Sequence, residues 1–147
     1  MVKVKYKKLQ EGAIVPSYGS KAAAGADIYA FTNGETVEIL PGETKLIHTG
    51  ISLELPVGYA GLIYARSGIA TKRGLAPANK VGVIDSDYRG EIMVSLHNHS
   101  NEPQQISDKE RIAQLVVAPY LAVEFEEANE LSQTDRGEGG FGSTGTK

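Results

Sequence analysis

Val81-Gly82-Val83-Ile84-Asp85-Ser86-Asp87-Tyr88-Arg89-Gly90-Glu91-Ile92-Met93-Val94-Ser95-Leu96-His97 holds two strand-length apolar runs on either side of a polar turn. In the second run successive side chains point to opposite faces, so Ile92, Val94 and Leu96 fall on one side and Met93, Ser95 and His97 on the other. The first set is expected in the core. The connection carries Asp85, Asp87, Tyr88 and Gly90 and reads as a hairpin bearing acidic groups. Working outward, runs of similar length occur at 37–40, 45–48, 51–55, 59–65 and 112–119. Asn33-Gly34, Pro41-Gly42, Pro56-Val57-Gly58 and Asn101-Glu102-Pro103 stand between them, and these residues supply the fixed or positive φ of tight turns. Met1 to Lys8 alternates Val and Tyr with Lys and reads as a first strand. Only Ser67–Arg73 looks helical, with Ser67 as its expected N-cap. The fold class is therefore all-β, a sandwich or barrel.

Composition narrows the function classes. At 147 residues the chain is expected to form one domain, and no apolar run approaches a membrane span. The Lys-rich start lacks the apolar stretch of a secretory signal, and the absence of cysteine removes disulfides and thiolate chemistry. A soluble cytoplasmic protein is the expectation. A net charge of −3 gives no field that attracts a polyanion, so direct nucleic-acid binding is not expected. After Tyr120 the pattern decays into an acidic stretch at 124–130 and then a glycine-rich tail, which divides the chain into a β domain at 1–130 and an arm at 131–147.

Four segments could carry chemistry. The tail, Arg136-Gly137-Glu138-Gly139-Gly140-Phe141-Gly142-Ser143-Thr144-Gly145, combines a guanidinium fork, approachable backbone amides, two hydroxyls and one aromatic ring, the parts that suit phosphates plus a base. It lacks P-loop spacing, and a disordered terminus is its plain alternative. Ala65-Arg66-Ser67-Gly68 sets an arginine and two amides at a helix start, where an anion is favoured, although a capped helix beside a surface arginine has the same sequence. Asp85 is a carboxylate able to orient and deprotonate water, or a simple turn residue. Asp27, among Ala23, Ala24, Gly25 and Ala26, could hold metal-bound water or form an Asx-turn. Counting from Asp85, Arg89 and Leu96 fill the fifth and twelfth places of a calcium loop, which excludes an EF-hand. His97 and His99 share a strand face, but no third strong ligand lies nearby for zinc.

Taken in order, Ala24-Gly25-Ala26-Asp27-Ile28-Tyr29-Ala30, Ala65-Arg66-Ser67-Gly68, Gly82-Val83-Ile84-Asp85-Ser86-Asp87-Tyr88-Arg89-Gly90, Arg111-Ile112-Ala113-Gln114-Leu115 and Arg136 to Gly145 resemble the five motifs of trimeric dUTP pyrophosphatases. The resemblance implies a jelly-roll-like β-barrel homotrimer whose arm closes over a neighbour's site, converting dUTP to dUMP and pyrophosphate with Mg²⁺. That reaction would limit uracil in DNA and supply dUMP for thymidylate synthesis. By the same resemblance Asp85 activates the water that attacks the α-phosphorus, and Tyr88 packs on deoxyribose. Asn79, the backbone of Gly82, Val83 and Ile84, and the backbone of Met93 recognise uracil. Arg66, Ser67, Gly68 and Gln114 contact the triphosphate, and Asp27 holds water on magnesium. In the arm, Arg136 contacts the γ-phosphate, Phe141 stacks on uracil, and Gly142, Ser143 and Thr144 contact phosphate. The second motif departs from the family by placing Tyr64-Ala65 before Arg66, where proline often directly precedes the arginine. Two alternatives remain open: a dCTP deaminase, and a nucleotide-gated binding protein that controls a regulatory protein partner such as a repressor.

Overall fold

The computed structural model describes residues 2–140. Among them the strands are β1 (Lys5–Lys8), β2 (Ser17–Tyr18), β3 (Ala26–Tyr29), β4 (Val37–Ile39), β5 (Thr44–Glu54), β6 (Tyr59–Tyr64), β7 (Leu75–Pro77), β8 (Gly82–Ile84), β9 (Glu91–Asn98), β10 (Gln104–Ile106) and β11 (Arg111–Pro119), with one helix, α1 (Ser67–Arg73), after β6. One sheet has the order β1-β5-β9-β7, a second β2-β3-β11-β6-β8, and β10 pairs with β4 apart from both. Every ladder is antiparallel. The architecture is the all-β, jelly-roll-like one, its strands in facing sheets rather than a closed ring.

The core lies between the two larger sheets. Ile47, Ile51, Leu53, Ile92, Val94 and Leu96 from one meet Ile28, Ile63, Ile84, Ile112 and Leu115 from the other in a single buried cluster. Each such side chain withdrawn from water contributes about 1.5–3 kcal/mol. The alternation along β9 is as read, with Ile92, Val94 and Leu96 inward.

The runs at 45–48 and 51–55 are one strand, not two. β5 crosses the whole sheet, and its register with β9 slips between His48 and Ser52. Gly50, at φ +68°, lies in this bulge, and a Cβ there would stand 2.8 Å from the Ala13 Cβ. The helix also differs in its start. Arg66, in extended conformation, is the N-cap and makes no side-chain cap bond, while Ser67 is already helical. At its other end Gly74, at φ +66°, returns its N–H to Ala70 and turns the chain into β7. Arg73 fastens the helix to the far side of the fold through Gln104, the Gln105 carbonyl and Glu110.

Regular structure among the described residues ends with β11 at Pro119. The following stretch leaves Leu121 89%, Val123 66% and Phe125 93% exposed, an apolar alternation with no covering surface in the subunit.

Candidate active site

β8 is the last strand of its sheet and pairs only with β6, whereas β9 belongs to the other sheet, between β5 and β7. The connection at 85–90 therefore crosses from one sheet to the other and does not close the paired hairpin expected from sequence. The turn residues are the same in both cases; what differs is that the strands separate. That separation leaves a cleft edged by backbone. β7 covers only Leu96 to Asn98 of β9, and the Ser95 carbonyl accepts from Ala78 on that side. Backbone groups alternate sides along a strand, so those of Met93, two residues earlier, also point away from β5 and toward the cleft. The free edge of β8 stands opposite, presenting amides and carbonyls that no ladder uses.

The cleft encloses about 260 Å³ and is lined by Asn79, Gly82, Val83, Ile84, Tyr88 and Met93, the six residues expected around a pyrimidine and its sugar. Leu46, Ile63, Glu91, Ile92 and Ser95 complete the walls. At Gly82 an added Cβ would lie 3.1 Å from the Asn79 amide nitrogen, so glycine keeps this end of the cleft open. Asn79 stands in a tight turn with Lys80 at φ +57°. A planar ring with alternating donors and acceptors matches such a slot, because both edges offer fixed backbone partners.

Asp85 follows β8 directly, next to the cleft-lining Ile84, and is exposed. The Tyr88 N–H donates to the Asp85 carbonyl at 3.2 Å, and the Tyr88 hydroxyl donates to the Glu91 carbonyl at 3.0 Å, so the ring folds back over the connection. The Glu91 carboxylate accepts from the Thr49 and Gly50 amides at 3.1 and 2.7 Å and bonds His48 Nδ1 at 2.8 Å. Burial pushes the Glu91 carboxyl upward, but the bonds from His48, Gly50 and Thr49 outweigh it and hold it below the ordinary glutamate value.

A second group forms at the other end of β6. Asp27 lies in β3, not in an Asx-turn. Its carboxylate accepts from Arg66 Nε at 2.7 Å and Arg111 Nη1 at 3.2 Å, and Arg66 also reaches the Arg111 carbonyl at 3.3 Å. Gln114, opposite both Asp27 and Tyr64 in the ladders, donates to the Ala65 carbonyl at 2.8 Å. Gly25 gives Gln114 its room, since a Cβ there would meet Oε1 at 2.4 Å. Ser67 and Gly68 are exposed at the first turn of α1, where amides lack helical partners. Asp27, Arg66 and Gln114 are the members of this group expected from sequence; Arg111, three residues before Gln114 in the same motif, is an unexpected fourth.

These two groups are not adjacent. Ile84 pairs with Gly61, which sets Asp85 opposite Ala60 near the start of β6, whereas Arg66 caps α1 beyond the strand's far end at Tyr64, with about 13 Å of strand rise between Ala60 and Tyr64 alone. Arg136 is exposed, with Nε donating to the Gly139 carbonyl at 2.7 Å. Phe141, Gly142, Ser143 and Thr144 lie outside the described residues. Among the described residues no three His, Asp or Glu side chains gather as a metal site. The His97 and His99 rings meet edge-on at 4.3 Å, and His97 Nδ1 is 2.8 Å from the Thr44 hydroxyl. Burial, then Lys80 and His97, holds His99 below the ordinary histidine value.

Comparison with known proteins adds the following. The dUTPase family model matches residues 11–145. The deoxyuridine 5'-triphosphate nucleotidohydrolase of Nautilia profundicola is 53% identical over 144 residues, covering 98% of this chain and 99% of that protein. That of Anaplasma marginale is 48% identical over 148 residues, 99% of this chain and all of the other. In structure the chain is similar to the dUTPase of Staphylococcus bacteriophage 80alpha with dUPNHPP, at a TM-score of 0.87 and 30% identity, covering 97% of this chain and 98% of that one. It is also similar to a dUTPase variant from phage phi11 of S. aureus, described with a structural Mg(II) ion, at a TM-score of 0.79 and 26% identity over 89% of this chain and 99% of the other.

Proposed function

Because the chain belongs to the dUTPase family and hydrolyses dUTP to dUMP and pyrophosphate, we propose that it divides this chemistry between the cleft and the arginine cluster, and joins them by assembly. The carrying observation is the cleft, which collects Asn79, Gly82, Val83, Ile84, Tyr88 and Met93, with Asp85 following Ile84 in the chain. Uracil occupies the slot between β8 and β9, where backbone groups of Gly82 to Ile84 and of Met93 take its polar edge. Tyr88 lies on deoxyribose, where a 2′-hydroxyl would collide. Asp85 at the mouth holds the attacking water and takes its proton as oxygen bonds the α-phosphorus and pyrophosphate leaves.

Arg66, the Ser67 and Gly68 amides and Gln114 hold the triphosphate, with Arg136 on the γ-phosphate. Phe141 covers the base, and Gly142, Ser143 and Thr144 add phosphate contacts. Fixed positive charge and oriented amides suit phosphoryl chemistry, which needs positioning and neutralisation above all. Mg²⁺ chelated by the triphosphate supplies further neutralisation when bound. The donor set fits a metal that arrives with its substrate: one largely buried carboxylate, Asp27, whose oxygens keep lone pairs for water beyond the bonds to Arg66 and Arg111.

The placement of Asp85 and Arg66 beyond opposite ends of β6 supports sites shared between subunits of a homotrimer. The uncovered alternation of Leu121, Val123 and Phe125 supports the same reading. No helix among the described residues is long and apolar enough to cross a membrane.

Pyrophosphate release from dUTP, UTP, dCTP and dTTP with Mg²⁺ tests the assignment: dUTP alone is expected to react at an appreciable rate. Ammonia release from dCTP would support a deaminase instead. Asp85→Asn is expected to abolish turnover and largely spare dUTP binding by titration; normal hydrolysis by this variant removes Asp85 from the role given.

A further inference from the structure

We propose that Glu91 is a positioning residue for sugar discrimination, acting through Tyr88, and that Gly90 completes the seat of the Tyr88 ring. The proposal rests on Tyr88 packing against deoxyribose.

The ring is held by three features of the connection. Its hydroxyl is bound by the Glu91 carbonyl at 3.0 Å. It lies directly over Gly90, where a Cβ would come within 2.3 Å of the Tyr88 oxygen and 2.5 Å of Cζ. No residue with a side chain fits beneath the ring in this position. The chain leaving the connection is then anchored to the neighbouring strand, with Ser52 donating to the Arg89 carbonyl at 2.7 Å.

Glu91 fixes the carbonyl that the ring depends on. Its side chain binds two successive amides of the β5 bulge and His48, three partners on one strand. The next residue is tied in the same way, the Ile92 carbonyl accepting from Thr49 Oγ1 at 2.5 Å. Peptide orientation at Glu91 is thus set by the bulge, and the Tyr88 hydroxyl inherits it. A hydroxyl on the 2′ carbon is excluded only if the ring cannot retreat, so discrimination depends on the stiffness of this support.

The experiment compares kcat/KM for dUTP and for UTP in the full-length protein. Glu91→Ala is expected to lower the dUTP-to-UTP ratio about tenfold, the size of one displaced contact, with a smaller loss in the isosteric Glu91→Gln. Gly90→Ala, which leaves Glu91 and its partners intact, is expected to lower the ratio as well, and it keeps the test decisive if Glu91→Ala folds poorly. In a Tyr88→Ala background Glu91→Ala is expected to cause no further change. Equal losses for both substrates in Glu91→Ala and Gly90→Ala would overturn the proposal, as would a Glu91 effect that persists without the Tyr88 ring. If Tyr88→Ala itself leaves the ratio unchanged, the sugar assignment of Tyr88 fails and this proposal with it. If Tyr88→Ala lowers the ratio while the other two variants do not, the positioning role alone fails.

Discussion

Glu91 shows how much a single side chain can be asked to hold. Its carboxyl is kept below the ordinary glutamate value because bonds from His48, Gly50 and Thr49 outweigh the cost of burial. A carboxyl whose folded-state value is depressed adds stability above its unfolded value, and that contribution is lost as pH falls through the folded value. Urea unfolding of the wild type and Glu91→Gln is therefore expected to show a gap of about 1–3 kcal/mol at neutral pH. The gap should narrow as pH drops below about 4, the ordinary range for glutamate. A gap of constant size down to pH of about 3 would show that the ionised form is not what the bulge binds. Residue chemistry was partly legible in advance. Asp85, Tyr88 and Arg66 announce themselves by type and spacing, whereas the partners of Glu91 lie more than forty positions away in β5 and leave no local mark. Arg111 escaped for the same reason, because its meeting with Asp27 exists only once β3 and β11 pair.

Among the elements, β9 could be read from alternation alone, since one face of it is buried and the other lines the cleft. β3 could not: Ala26 and Asp27 are poor strand formers, and the four-residue segment is paired by β2 and β11 on either side. The mistaken hairpin has a physical source too, because turn residues specify a reversal but not which strand the returning chain will join. β5 was divided in two because Gly50 marks a bulge with the same residue that marks a turn. This bulge carries a clear expectation. Gly50→Ala forces a Cβ against Ala13 at a positive φ, and thermal or denaturant unfolding should reveal a loss of about 1–3 kcal/mol. A variant as stable as the wild type would mean that the bulge relaxes without cost.

For the whole molecule, the proposal that Asp85 and Arg66 meet only across subunits makes activity a property of the assembly. Two inactive variants, Asp85→Asn and Arg66→Ala, unfolded and refolded together should regain a substantial fraction of dUTP hydrolysis, because some mixed sites then contain both native residues. Separately refolded samples combined afterwards should stay inactive until subunits exchange. Failure of the mixture to recover would mean that each chain builds its own site. The exposure of Leu121, Val123 and Phe125 was not legible in sequence, where they look only like a fading pattern before an acidic stretch. Their exposure has a cost during synthesis. A single chain displays a short, apolar, β-prone segment, the kind of surface on which partly folded chains aggregate. Glu124, Glu126 and Glu127 stand between and behind the apolar residues, the placement in which charge opposes the stacking of such segments on one another. Neutralising them should cost the cell soluble protein before it costs the enzyme any catalytic power.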